Sequence, residues 1–251
     1  MPSEFNIDEN GKCKIKTYIN NLPKSEKKLY NNIEKLFEFV LPRFENIWSY
    51  INCTNITQDD STDFKFISLR NRNLQVITKI VEISLQDETL EGVWHVEGMS
   101  HENIVATASC TIDQSDNFDS VLYFKRIYTI LEEEELLYNM PQNLYHEFDN
   151  KLNEESVPLG KYNINKGCLI VFPNSHIHKI NNSVLTKNIN GKRRVIVFWL
   201  INPNIIIKST KDIKQQKYNI NKAHKHRLEL MKERSYYKNN FNVRTLNLCE
   251  H

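Results

Sequence analysis

Between residues 24 and 51 the apolar side chains Leu29, Ile33, Leu36, Val40, Phe44, Ile47 and Ile51 recur every three or four positions. That spacing lays one apolar stripe along a helix and predicts an amphipathic helix with one face against a core. Pro42 falls inside it and is expected to kink or divide it, since proline lacks the backbone donor and its ring crowds the preceding turn. Residues 52–63 are polar and read as a loop. The pattern then changes. Residues 74–85 (LQVITKIVEISL) are β-branched and partly alternating, which predicts a strand. Further strands are expected at 93–97, 104–112, 121–130, 168–172, 176–180 and 193–201. Residues 131–152 open on the acidic run Glu132 to Glu135 and read as a helical insertion. From 208 onward the chain is basic and helix-prone, with Ile220, Ala223, Leu228 and Met231 as the expected buried stripe.

Strands bracketed by helices, without regular β-α alternation, predict an α+β protein whose β part is a sandwich or jelly roll. Residues 1–251 are expected to form a single domain. Its parts are helical support at 24–51, a β-rich catalytic core at 74–201 and a basic helical extension at 208–251. Neither GxGxxG nor GxxxxGK[ST] occurs, so the common phosphate-cradling loops are absent.

Composition narrows the function classes. With 40% hydrophobic and 25% charged residues and a mean hydropathy of -0.55, the 251 residues fit a soluble globular chain with a substantial core. No stretch approaches the roughly 18 apolar residues of a membrane span, and the first residues carry no signal pattern. Five scattered cysteines without a CxxC pair point to a reducing compartment, hence an intracellular location, cytoplasmic or nuclear. The 33 Lys+Arg against 31 Asp+Glu argue against a surface built throughout for nucleic acid. A nucleic-acid module on the basic helix at 208–238 stays as a lesser alternative. Glycine is scarce, 6 residues where average usage of about 7% gives roughly 18. Gly92, Gly98, Gly167 and Gly191 flank the three segments that carry the candidate chemistry.

The first segment is Trp94-His95-Val96-Glu97-Gly98. Strand side chains alternate, so His95 and Glu97 project from one face and converge an imidazole and a carboxylate. The second, Gly167 through His178, is an apolar strand stopped by Pro173 that delivers His176 and His178 to the mouth of a sheet. One of them with His95 and Glu97 makes the two-histidine, one-carboxylate facial triad of non-haem Fe(II) oxygenases, which leaves the other positions for substrate and O2. The third begins Gly191-Lys192-Arg193-Arg194. A guanidinium at the inner end of a strand can grip a carboxylate with two hydrogen bonds, as lysine cannot. The distal carboxylate of 2-oxoglutarate is its natural ligand. Arg193 and Arg194 are both candidates, and parity with Val195, Val197 and Trp199 favours Arg193. A cupin-like zinc or manganese enzyme that uses His176 and His178 with His95 and Glu97, and no 2-oxoglutarate, is the rival reading.

The order H-x-E, then G-x-L-I-V-F-P-N with a late histidine, then R-x-x-x-x-x-W resembles the iron(II)/2-oxoglutarate-dependent dioxygenases. More narrowly, FNIDENGKCKIKTYINNL, SLRNRNLQVITKIVEI, WHVEGMSHENIVATA, LIVFPNSHIHKI, GKRRVIVFWLINP and LNLCEH are similar to a mostly fungal family catalogued as a domain of unknown function. The resemblance implies a double-stranded β-helix (jelly-roll, cupin-like) core with flanking helices, and catalytic iron held by His95, Glu97 and His178. It also implies 2-oxoglutarate anchored by Arg193 and hydroxylation or demethylation of an unidentified small or macromolecular substrate, with release of succinate and CO2. The chain departs from the family at Ala108-Ser109-Cys110-Thr111, where tyrosines are usual, and in a shorter segment between its halves. Both departures fall on the substrate pocket.

Overall fold

The computed structural model describes residues 1–53, 65–86, 89–128, 130–147, 156–185, 190–215 and 220–241. The expected loop at 52–63 falls mostly outside them, as do the end of the insertion helix and the closing LNLCEH. The strands are β1 (Ser3–Ile7), β2 (Cys13–Ile15), β3 (Arg72–Leu85), β4 (Thr89–Glu91), β5 (Ile104–Gln114), β6 (Phe118–Arg126), β7 (Val157–Asn163), β8 (Leu169–Pro173), β9 (Ile177–Val184) and β10 (Gly191–Ile201). The helices are α1 (Lys27–Ile51), α2 (Ile130–Asn139) and α3 (Ile220–Phe241).

Every named strand pairing is antiparallel. Six strands form one sheet in the order β2-β1-β3-β10-β5-β8, and four form a second in the order β4-β9-β6-β7. The two sheets face each other across a pocket lined from both, a mixed α and β architecture dominated by antiparallel sheet. β10 is central because its alternating bulky residues can bury both faces: Val195, Val197 and Trp199 line the pocket, while Ile196, Phe198 and Leu200 join the core on the other side.

That core lies between the six-stranded sheet and α1. Ile33, Phe37, Val40, Leu41, Phe44 and Trp48 of α1 are buried. The stripe is therefore turned slightly from the expected one. Leu29, Leu36 and Ile47 flank it half-buried, and Ile51 is exposed. α1 also runs unbroken through Pro42. Leu41 and Phe44, buried on either side of it, hold the helix to the sheet and outweigh a proline cost of about 3 kcal/mol. Two buried carboxylates lock the same helix to neighbouring backbone: Glu34 Oε1 accepts the Ile15 amide at 2.9 Å and Glu45 Oε1 that of Leu69 at 3.0 Å. Phe37 stacks within 4.8 Å of Phe5 and 5.4 Å of Phe198, ring centre to ring centre. Phe37→Ala should therefore cost about 3–5 kcal/mol of stability, read as a lower denaturant midpoint with unchanged slope.

The strand expected at 93–97 is reduced to a single bridge at His95. The short strands β1, β2, β4 and β7 are additional to the sequence pattern. The stripe expected on the C-terminal helix is not a core: Leu228 of α3 is exposed, and Ala223 and Met231 are only half-buried. No helix among the described residues is long and apolar enough to cross a membrane.

Candidate metal centre

One cross-strand pair sets the site. The His95 amide donates to the His178 carbonyl at 3.0 Å and the His178 amide donates back at 2.9 Å. The two residues are directly opposite, and their side chains leave the same face. The imidazoles stand 4.3 Å apart, centre to centre, and Glu97, two residues on, shares that face. His95 Nε2 lies 3.9 Å and His178 Nε2 3.4 Å from Glu97 Oε1. One donor atom from each of the three falls within 4.8 Å of the others, and all three residues are buried. Donors on one ion at about 2.1 Å stand about 3 Å apart at right angles, so a small contraction around a metal completes the set.

Hydrogen bonds aim the rings. His95 Nδ1 lies 2.8 Å from the Val93 carbonyl and His178 Nδ1 3.3 Å from the His176 carbonyl. A carbonyl only accepts, so Nδ1 carries the proton and Nε2 turns its lone pair towards Glu97, the tautomer a metal ligand needs. Burial, reinforced by His178, holds the His95 pKa below its ordinary value, which keeps that lone pair available.

Residues 92–98 reach this position through close packing. A Cβ on Gly92 would stand 2.3 Å from the Ile180 carbonyl oxygen, so only glycine lets the segment lie against β9. Gly98 turns the chain away at φ +65, a conformation L side chains avoid. Asn174, in the turn between β8 and β9, staples the segment: its Oδ1 accepts the Glu97 amide at 2.8 Å, and its Nδ2 donates to the Glu97 carbonyl at 2.9 Å and to Ile104 at 3.1 Å. Glu102 Oε2 accepts the Met99 amide at 2.8 Å and braces the next turn. Loss of a group that orients a ligand typically costs 10–100-fold in metal affinity. Asn174→Ala should weaken metal binding by about that factor in a chelator competition, with Tm falling far less than for Phe37→Ala.

Arg193 stands on β10, at the other end of the pocket. Its side chain is 1% exposed. Nη2 donates to Thr111 Oγ1 at 3.0 Å and Nη1 to Asn182 Oδ1 at 3.4 Å, so it spans from β5 in one sheet to β9 in the other. Its Nε is buried with no hydrogen-bond partner among the described residues. Burial pushes its pKa down to about 10, so it stays cationic at neutral pH. No carboxylate among the described residues pairs with it. A buried cation without a counter-charge costs several kcal/mol, and an anionic ligand would supply that charge.

Arg194 is not brought to the site. Alternation along β10 turns it to the outer face, where Nε meets Glu82 Oε2 at 2.6 Å and Nη1 lies 3.7 Å from Asp113. His176 does not join the donor group; its ring stands against Phe124. Arg70 pairs with Glu45 of α1 at 3.6 Å. The sequence pattern assigns no role to Asn174, Thr111 or Asn182.

Both ends open onto one cavity of about 610 Å³, lined by His95, Glu97, His178 and Arg193 and by apolar residues of both sheets, among them Val81, Val195, Leu122 and Ile180. Its volume and mostly apolar wall are those of a small-molecule site.

The sequence matches the family described as protein of unknown function (DUF4246) over residues 1–67 and 51–224. No curated protein matches it. Among solved structures the chain is distantly similar to the hydroquinone 1,2-dioxygenase PnpCD, determined with Cd2+ and 4-hydroxybenzonitrile. Identity is 10%, over 57% of this chain and 66% of that one, with a TM-score of 0.24. The hydroquinone 1,2-dioxygenase from Sphingomonas sp. TTNP3 with 4-hydroxybenzoate gives 10% identity, 56% and 69% coverage and a TM-score of 0.24. A chain of the disulfide-linked pili of Bacillus endospore appendages gives 6%, 55%, 99% and 0.24. Likenesses at this level do not bear on activity.

Proposed function

We propose that this chain, which on that match belongs to the DUF4246 family of proteins of unknown function, is an iron(II)- and 2-oxoglutarate-dependent dioxygenase on a double-stranded β-helix core. One observation carries the reading: a buried His/His/Glu donor set and a buried arginine without a carboxylate partner among the described residues open onto the same cavity. The donor chemistry fits iron(II), because two imidazoles and one carboxylate hold one face of an octahedral ion. Such an ion, with 2-oxoglutarate bound, supplies oxidation of a substrate C–H bond by O2, coupled to conversion of the co-substrate to succinate and CO2.

The chain's own residues do the rest. His95, His178 and Glu97 hold and orient the ion; the Val93 and His176 carbonyls and Asn174 hold those three in place. Arg193, steadied by Thr111 and Asn182, pairs with the far carboxylate of 2-oxoglutarate, which provides the counter-charge its burial lacks. The apolar wall excludes water from the reacting centre. Residues 1–251 act as one catalytic unit, with α1 as support.

Purified protein supplied with Fe(II), 2-oxoglutarate and O2 should form succinate, and zinc or manganese should not replace iron. Tight metal binding without succinate under any of these ions would replace this reading by a metal enzyme that does not use 2-oxoglutarate.

A further inference from the structure

The donor set and Arg193 leave part of the cavity unassigned. There β3, β10 and β5 bring together Lys79, Trp199 and Thr107, all on the cavity wall. Trp199 is paired with Ile77 on one side and with Thr107 on the other, and Lys79 is paired with Val197. The indole therefore stands beside Thr107, with Lys79 one same-face pair further along the sheet. Lys79 Nζ lies 5.9 Å from the centre of the Trp199 ring, a cation–π contact that holds the ammonium at the cavity. His95 and Glu97 line the same cavity.

Thr107 adds an independent observation. The residue is 2% exposed, and its Oγ1 is buried with no hydrogen-bond partner among the described residues. A hydroxyl in that position is destabilising unless a ligand meets it. Around this pair the wall is aliphatic: Val81, Leu90, Val93 and Val197. The other charged groups on the described wall are Arg193 at the far end, Glu97 among the donors and Glu91, exposed at the rim.

An ammonium, a buried hydroxyl, an aromatic plate and aliphatic walls are complementary to one chemical class. Resting on the dioxygenase reading, in which Arg193 is taken by the co-substrate, we propose that the prime substrate is a small apolar carboxylic acid. Its carboxylate pairs with Lys79, its hydrocarbon body lies along Trp199, and Thr107 supplies a further hydrogen bond. Lys79 and Thr107 are then specificity-determining residues of the second substrate.

The test is calorimetric titration of the anaerobic protein, loaded with Fe(II) and 2-oxoglutarate, with octanoate and 3-phenylpropanoate and with their amides. A charge-assisted contact predicts acids bound roughly tenfold or more tighter than amides. Lys79→Met should erase that preference, and Thr107→Val should weaken both acid and amide severalfold. Both variants should still form the visible absorbance of the iron–2-oxoglutarate chelate, which shows that the fold and donor set survive. Chelate absorbance with equal affinities for acid and amide, with no binding of either acid, or with the preference intact in Lys79→Met overturns this proposal alone. Absence of that absorbance in the wild type overturns the dioxygenase reading and this proposal with it.

Discussion

Alanine at His95, Glu97 or His178 should abolish stoichiometric iron(II) binding and lower 2-oxoglutarate turnover by more than about 100-fold, since even the groups that merely orient ligands are worth 10–100-fold. The three side chains are buried and their donor atoms lie within 4.8 Å of one another, so each substitution removes one of three converging donors. The fold should persist, because the backbone pairing of His95 with His178 does not depend on either ring. His176→Ala is the matched control. Its ring stands beside Phe124 and outside the donor group, so that variant should keep iron. Metal analysis with single-turnover succinate formation checks the series, and an alanine variant that still consumes 2-oxoglutarate removes its residue from the triad.

Arg193→Met should lose 2-oxoglutarate affinity by about 2–5 kcal/mol, roughly 30-fold to several thousandfold, while iron binding stays intact. The same substitution should not lower Tm. The wild-type guanidinium is 1% exposed, has an Nε without a partner among the described residues and faces no carboxylate among them. Methionine removes a buried charge whose desolvation is not repaid in the ligand-free protein. A purely structural arginine predicts the reverse, a loss of stability with no change in 2-oxoglutarate binding. Arg194→Met provides the contrast: an exposed side chain paired with Glu82, it should change neither affinity, and surface pairs of this kind contribute about 0–1 kcal/mol. Thermal unfolding with and without 2-oxoglutarate separates these outcomes, because a ligand that binds only the folded state raises Tm by an amount that grows with the logarithm of its concentration over Kd.

How much of this is legible in the sequence depends on distance along the chain. His95 and Glu97 are two residues apart, so alternation alone puts them on one face, and the apolar strand ended by Pro173 marks where His178 emerges. The antiparallel sheets follow from β-branched runs such as 74–85. Which of Arg193 and Arg194 faces the cavity also follows from alternation, since β10 keeps its register against β3 without interruption. Thr111 is different. It meets Arg193 through an irregularity in the β5–β10 pairing, and no periodicity announces a bulge. Asn182 and Asn174 contribute through contacts across the two sheets or across a turn, which the pattern of one strand does not encode. α1 shows the opposite failure: the 3.6 period gives the helix but not its rotation by a fraction of a turn, and tertiary packing carries it through Pro42. On α3 an apolar spacing exists, yet Leu228 is exposed, because periodicity reports what could be buried rather than what is.

Addition of Fe(II) and then 2-oxoglutarate to the anaerobic protein tests the shared site most directly. Donor set and arginine together predict a weak visible charge-transfer band of the iron–2-oxoglutarate chelate, saturating at one equivalent of each and absent from His178→Ala. Bound iron with no such band at saturating 2-oxoglutarate would contradict it.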